Sequence, residues 1–198
     1  MEKDLNSAIR LFYNKEYSKA KDIFLELNLY YEAGLCCMLL SNFELAREYW
    51  QKSEDNKFAS DWGLITLDLI DNKRPSVEPK YFQIRAFYEV YLSLLIENGL
   101  FNYAERLIKS YKYLTCFNLE VPKFIARVLH AYNYDDPALN FVNISTQENY
   151  VDVEALFVAA QIYIKRNEQN NAKECIEKIL KIAPSYYPAL QLNKTVRA

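Results

Sequence analysis

Glycine is scarce in this chain, with only 3 among 198 residues, where ordinary usage would give roughly 14. Gly34, Gly63 and Gly99 stand far apart. A phosphate-cradling loop needs two or three glycines within a few residues, so that backbone can approach the phosphate closely; no such loop can be built here. Primed-turn hairpins also lean on glycine, which argues against an all-β fold. Histidine is scarcer still: His130 stands alone, which excludes the paired-histidine zinc helix. The net charge of −2 supplies no general attraction to nucleic acid or anionic membrane. The four cysteines, Cys36, Cys37, Cys116 and Cys175, form no CxxC pair and read as small buried hydrophobes in a reducing compartment. The opening MEKDLNSAIR lacks an apolar signal core, and the apolar runs are too short to span a bilayer; the expected location is the cytoplasm. Asn143-Ile144-Ser145 and Asn193-Lys194-Thr195 match the glycosylation pattern and, without a secretory signal, read as chance.

What is abundant is apolar and aromatic: 51% hydrophobic residues, with 17 Tyr, 11 Phe and 2 Trp, the composition of a folded globular chain. Apolar residues recur at intervals of three and four, not two. Helices are predicted near 3–14, 18–27, 29–40, 43–53, 57–71, 80–98, 101–114, 121–132, 136–145, 150–166, 169–182 and 187–197. Pro79, Pro122, Pro137 and Pro188 precede helical patterns, where a missing N–H costs little. Asp136 reads as the N-cap beside Pro137, Pro184 as a stop, and NKRPSVEP as the clearest loop. Short connections make neighbouring helices antiparallel.

The chain also repeats itself. Ala104, Ala138 and Ala172 are spaced 34 residues apart, and four residues beyond each stands Ile108, Val142 or Ile176. Upstream, Ala20 with Phe24 and Ala46 with Trp50 extend the pattern. Ala8, Gly34, Ala126 and Ala160 each precede such an alanine by twelve. This resembles the tetratricopeptide repeat (TPR), whose signature is W-x2-L-G-x2-Y, then A-x3-F, then P. The last unit matches best, as Leu156-x2-Ala159-Ala160-x2-Tyr163, Ala172-x3-Ile176 and Pro184. The resemblance implies an all-α, right-handed solenoid of antiparallel helix pairs, about 12 helices with a C-terminal capping helix. The expected organisation is one repeat domain over 1–198: two short pairs in 1–53, an irregular pair and loop in 54–84, three 34-residue repeats in 85–186, and the cap at 187–198.

The same resemblance implies a non-enzymatic scaffold that holds a peptide or partner segment along the first helix of each pair. Carried over by register, the binding residues are Lys123, Phe124, Arg127, His130, Phe157, Gln161 and Lys165. Lys123, Arg127 and His130 share a helical face suited to a carboxylate or an acidic segment, with Arg127 able to bond bidentately; Phe124 and Phe157 would serve as apolar anchors. The competing reading of those charges is a solvated helix face. Ile9 and Leu35 replace the asparagines of the family's chaperone-tail clamp, so chaperone binding is not expected. No cofactor and no metal is expected, and Cys116 with His130 lacks any third group to orient a nucleophile. The expected partner is a protein or peptide, not nucleic acid; the alternatives are a homodimerising structural subunit and, below that, an RNA-binding helical repeat.

Overall fold

A computed structural model describes residues 4–54, 56–148 and 152–197. Among them there is no strand, and the helices follow in the order α1 (Leu5–Tyr13), α2 (Tyr17–Glu26), α3 (Tyr30–Leu39), α4 (Phe43–Lys52), α5 (Lys57–Ile70), α6 (Tyr81–Glu97), α7 (Phe101–Lys109), the single turn α8 (Tyr111–Leu114), α9 (Val121–Ala131), α10 (Asp135–Glu148), α11 (Val153–Lys165), α12 (Gln169–Ile182) and α13 (Tyr187–Arg197). The fold is all-α, as the periodicity predicts. The predicted starts at residues 3 and 150 lie outside the described residues.

One local rule builds most of the turns. Lys15, Asn28, Ser41, Asn72, Gly99, Asn133 and Asn167 follow helix ends with left-handed φ between 56° and 71°. In each turn two amides reach back to the helix, as Asn133 N to His130 O (3.0 Å) and Tyr134 N to Leu129 O (2.8 Å). That is the Schellman cap, which satisfies carbonyls otherwise orphaned at a helix C-terminus. Five residues after six of these turns stands a buried alanine: Ala20, Ala33, Ala46, Ala104, Ala138 and Ala172 are all 3% exposed or less. The left-handed residue reverses the chain and the alanine lets the returning helix approach its partner closely. Glycine fills this role only at Gly99, with asparagine the commonest substitute.

The chain forms two compact units, 1–110 and 111–198. In the first, α1 to α4 pack in sequence, and α5 is buried along nearly its whole length against α3, α4, α6 and α7. The indole of Trp50, 1% exposed, lies in a slot between two helix backbones: a Cβ built at Gly63 would sit 2.5 Å from Trp50 Cδ2, and one at Gly34 2.6 Å from Cδ1. Trp50 Nε1 donates to Tyr31 O at 3.0 Å, so the buried ring keeps its hydrogen bond. The segment expected to hold an irregular pair holds one regular helix, α5, and a loop pinned by a buried carboxylate. Asp68 accepts from Ser76 N at 2.9 Å and Ser76 Oγ at 3.1 Å, and pairs with Arg47 at 2.8 Å.

In the second unit, α9 with α10 and α11 with α12 form hairpins; α11 packs on both α9 and α10, and α13 covers α11 and α12. Three sequence expectations are corrected. The helix predicted over 101–114 breaks at Ser110, because Leu107 O accepts hydroxyls from Tyr88 (2.7 Å) and Ser110 (2.6 Å) at the helix end. Asp136 is not an N-cap but lies within the first turn of α10, where its charge meets Arg166 at 2.7 Å. Only Cys36 and Cys37 are buried; Cys175 is half-buried and Cys116 is exposed.

Candidate functional site

The second unit presents a depression of about 270 Å³ between α9 and α11, closed by the turn before α13. Arg127 and His130 reach it from α9, Phe157 and Gln161 from α11, with Tyr186 at one end. The spacings, three on one helix and four on the other, put each pair on a single face. Phe157 and Tyr186 meet edge-to-face with centroids 5.8 Å apart. Arg127 Nη1 stands 3.6 Å from Glu154 Oε2. Burial lifts the Tyr186 phenol above its ordinary pKa, Glu154 adding to the effect while Arg127 and Lys123 oppose it.

His130 and Lys165 are held together by one carboxylate. Asp135 places Oδ1 2.8 Å from His130 Nδ1 and Oδ2 2.7 Å from Lys165 Nζ, and Lys165 also donates to Asn133 Oδ1 at 2.9 Å. Burial works against the charged Asp135, but Lys165 and His130 outweigh it and hold its pKa below the usual carboxylate value. Lys165 therefore staples the end of α11 to the α9–α10 turn, and does not line the depression.

Lys123 and Phe124, read from the sequence as surface contacts, belong to the interior. They are 5% and 1% exposed, because α9 is covered on that side by α11, and the lysine extends towards three carboxylates of which only Asp152 is a buried residue. Its Nζ lies 3.1 Å from Glu120, 3.3 Å from Asp152 and 3.4 Å from Glu154. Burial would lower the Lys123 pKa; the surrounding carboxylates outweigh it and raise it above the usual value. Asp152 also caps α11, accepting from Ala155 N at 3.0 Å, and receives the Ser145 hydroxyl at 3.2 Å. One carboxylate thus ties α9, α10 and α11 together. The sequence reading missed Glu154 and Tyr186 at the depression. Glu154 was legible as an acid one turn before Phe157, whereas Tyr186 sits in a turn with no helical period to place it.

A second, larger cavity of about 740 Å³ opens between α10 and α12 over α11, with Leu139, Val142, Leu156, Tyr163, Cys175 and Ile182 among its walls. Among the described residues no group of three His, Cys, Asp or Glu side chains gathers to hold a metal ion, and no helix is long and apolar enough to cross a membrane.

The hairpin α11–α12 and the turn behind it, residues 153–186, match the family model described as tetratricopeptide repeat. The chain carries a tetratricopeptide repeat. Its 34 residues coincide with the unit that fits the TPR signature best, and the preceding hairpin α9–α10 repeats its left-handed asparagine and buried alanine in the same register. No curated protein matches the chain. Among solved structures, it is similar to YrrB, described as a TPR protein with an unusual peptide-binding site: 17% identity, 98% of this chain and 93% of that chain covered, TM-score 0.48. It is also similar to the C-terminal part of a TPR repeat-containing protein from Cytophaga hutchinsonii: 17% identity, 98% and 70% covered, TM-score 0.47.

Proposed function

We propose that the tetratricopeptide-repeat unit is a non-enzymatic recognition module that binds a short segment of another protein in the depression between α9 and α11. The observation that carries this reading is the lining itself. An apolar wall from Phe157 and Val158 stands beside Arg127, His130 and Gln161, so a segment offering one apolar side chain and nearby acceptors would find a partner for each. Ser, Thr and Cys are absent from the lining, so His130, although aligned by Asp135, has no aliphatic hydroxyl or thiol there to activate. Arg127, 36% exposed along its side chain, keeps part of its guanidinium accessible to an incoming carboxylate or carbonyl.

The test is selection of peptides from a displayed library by the purified protein, followed by calorimetry on the enriched sequences. Phe157→Ala and Gln161→Ala should each weaken binding about tenfold or more, as for central interface residues, while Lys173→Ala on the outer helix α12 leaves it unchanged. Selected peptides that bind all these variants equally would place recognition elsewhere. A library that yields no binder would remove the peptide-binding reading itself.

A further inference from the structure

His130 is the chain's only histidine, and its surroundings fix where the ring carries its hydrogen. Asp135 presents Oδ1 to His130 Nδ1 at 2.8 Å and Oδ2 to Lys165 Nζ at 2.7 Å. The ammonium can only donate, and beside it the carboxylate stays ionised, so both of its oxygens accept. Nδ1 must therefore carry the hydrogen, and the neutral ring keeps its free lone pair on Nε2. His130 is among the walls of the depression between α9 and α11, whereas Asp135 is not. The Nδ1 edge of the ring thus turns away from the depression and the Nε2 edge turns towards it. Among the described residues no side chain donates to Nε2. The charged and titratable groups around the ring are Arg127 on its own helix, Glu154 on α11 and Tyr186 in the turn before α13, with Asp135 and Lys165 behind it.

We propose that His130 selects the class of side chain that enters this depression: an aromatic ring with a hydrogen-bond donor at its edge, the indole of tryptophan or the phenol of tyrosine, in preference to phenylalanine or leucine. The inference rests on the recognition module proposed above and names what that module recognises. The volume of about 270 Å³ is below that of sites that enclose a whole small-molecule ligand and suits one inserted side chain. Ala131, Phe157 and Val158 supply apolar walls. The edge-to-face pair of Phe157 and Tyr186 offers a further ring to a guest that is itself aromatic. Filling the depression takes Nε2 out of water. A guest without a donor leaves that acceptor unpaired, and an unpaired buried acceptor costs more than a typical hydrogen bond gains. An indole N–H or phenol O–H pairs it while the ring covers the apolar walls. Arg127 and Gln161 remain for acceptors on the backbone of the segment. Protonation of His130 reverses the selection, because Nε2 then carries a hydrogen and faces the guest's donor with another donor.

The full chain has one imidazole, so nitrogen-15 NMR reads it directly. In the neutral ring Nδ1 should show the shift of a protonated nitrogen and Nε2 that of a bare one, and Asp135→Ala should weaken that preference. A proton on Nε2 in the unsubstituted protein overturns the proposal. The binding probes are indole and benzofuran, rings of the same shape with and without an N–H. Followed by NMR titration, indole should bind about tenfold more tightly than benzofuran, and His130→Phe should abolish the difference. Affinity for indole should fall in step with the protonated fraction of the ring. Equal binding of the two probes, or binding of neither, overturns the selection. In peptides selected on the purified protein, replacing the inserted tryptophan or tyrosine by phenylalanine should cost a similar factor. Peptides that need Phe157 but tolerate that replacement overturn the selection and leave the recognition module standing, whereas a library without a binder removes the module and this inference with it.

Discussion

Gly34 and Gly63 are required by what faces them and Gly99 by its own backbone. At Gly99 φ is +71° and a Cβ would meet nothing, so the constraint there is conformational. At Gly34 and Gly63 the obstacle is the plane of Trp50, fixed by its hydrogen bond to Tyr31 O and by the edge-to-face contact with Tyr91 at 6.0 Å. Gly63→Ala is therefore expected to lower unfolding stability by about 3 kcal/mol, at the upper end for overpacking. In the double variant with Trp50→Leu the two losses should be clearly less than additive, as read from urea midpoints; additive losses would mean that the slot is not what constrains Gly63. Ser41 holds a left-handed φ of 60° on an exposed turn, a conformation that costs a non-glycine residue about 1–2 kcal/mol. Ser41→Gly should recover about 1 kcal/mol of that, net of glycine's larger chain entropy, and Ser41→Val should lose stability in the same assay.

At the scale of elements, the helices and the reversal points were largely legible, because the three-and-four period and the spaced alanines survive translation into contacts. The turn chemistry was not. A lysine, a serine and four asparagines stand where a glycine would announce a helix stop, so for all of them but Asn72 only the coincidence with an alanine five residues on marks the cap. The candidate site was legible in part for a related reason. Register alone places Arg127, His130, Phe157 and Gln161 on facing helices, but it does not say how far α11 covers α9, and that coverage buries Lys123 and Phe124. The acidic group around Lys123 is only partly local: Glu120 is one turn away, whereas Asp152 and Glu154 come from beyond α10. Asp152→Ala should cost about 3 kcal/mol, since it removes a helix cap and leaves a buried ammonium short of its one buried counter-charge. Asp152→Asn keeps the capping oxygen and removes the charge, so it should lose less. Equal losses from the two would assign the whole effect to the ion pair rather than to the cap.

For the whole molecule, the acids whose ionisation burial opposes gather mainly in one unit. In the unit of residues 1–110, burial pushes the Cys36 thiol up to about 12, with the Cys37 charge adding to it. Burial likewise lifts the Tyr88 and Tyr91 phenols far above their ordinary value. These are acids whose pKa is higher folded than unfolded. Their contribution is complete below the unfolded values, about 8.5 for cysteine and 10 for tyrosine, and is lost as pH rises towards the folded ones, because the unfolded chain ionises first. In the unit of residues 111–198 burial lifts the Cys175 thiol and the Tyr163 and Tyr186 phenols as well, but these groups are only half-buried, and the buried cation is Lys123. Its raised pKa protects stability up to the unfolded lysine value of about 10.4 and loses it only above. At about pH 10 the first unit should already be weakened while the ion pairs of Lys123 are still intact. Both tryptophans, Trp50 and Trp62, lie in the first unit, so fluorescence follows that unit alone and far-ultraviolet dichroism follows both. Between about pH 8 and pH 10 the urea midpoint by fluorescence should fall further than the midpoint by dichroism, splitting a transition that repeat-built chains need not make as a single step. Cys36→Ala should remove part of that fall. A fluorescence midpoint that holds steady over this range, or falls equally in the Cys36→Ala variant, would show that the buried thiol does not govern the alkaline limit of the fold.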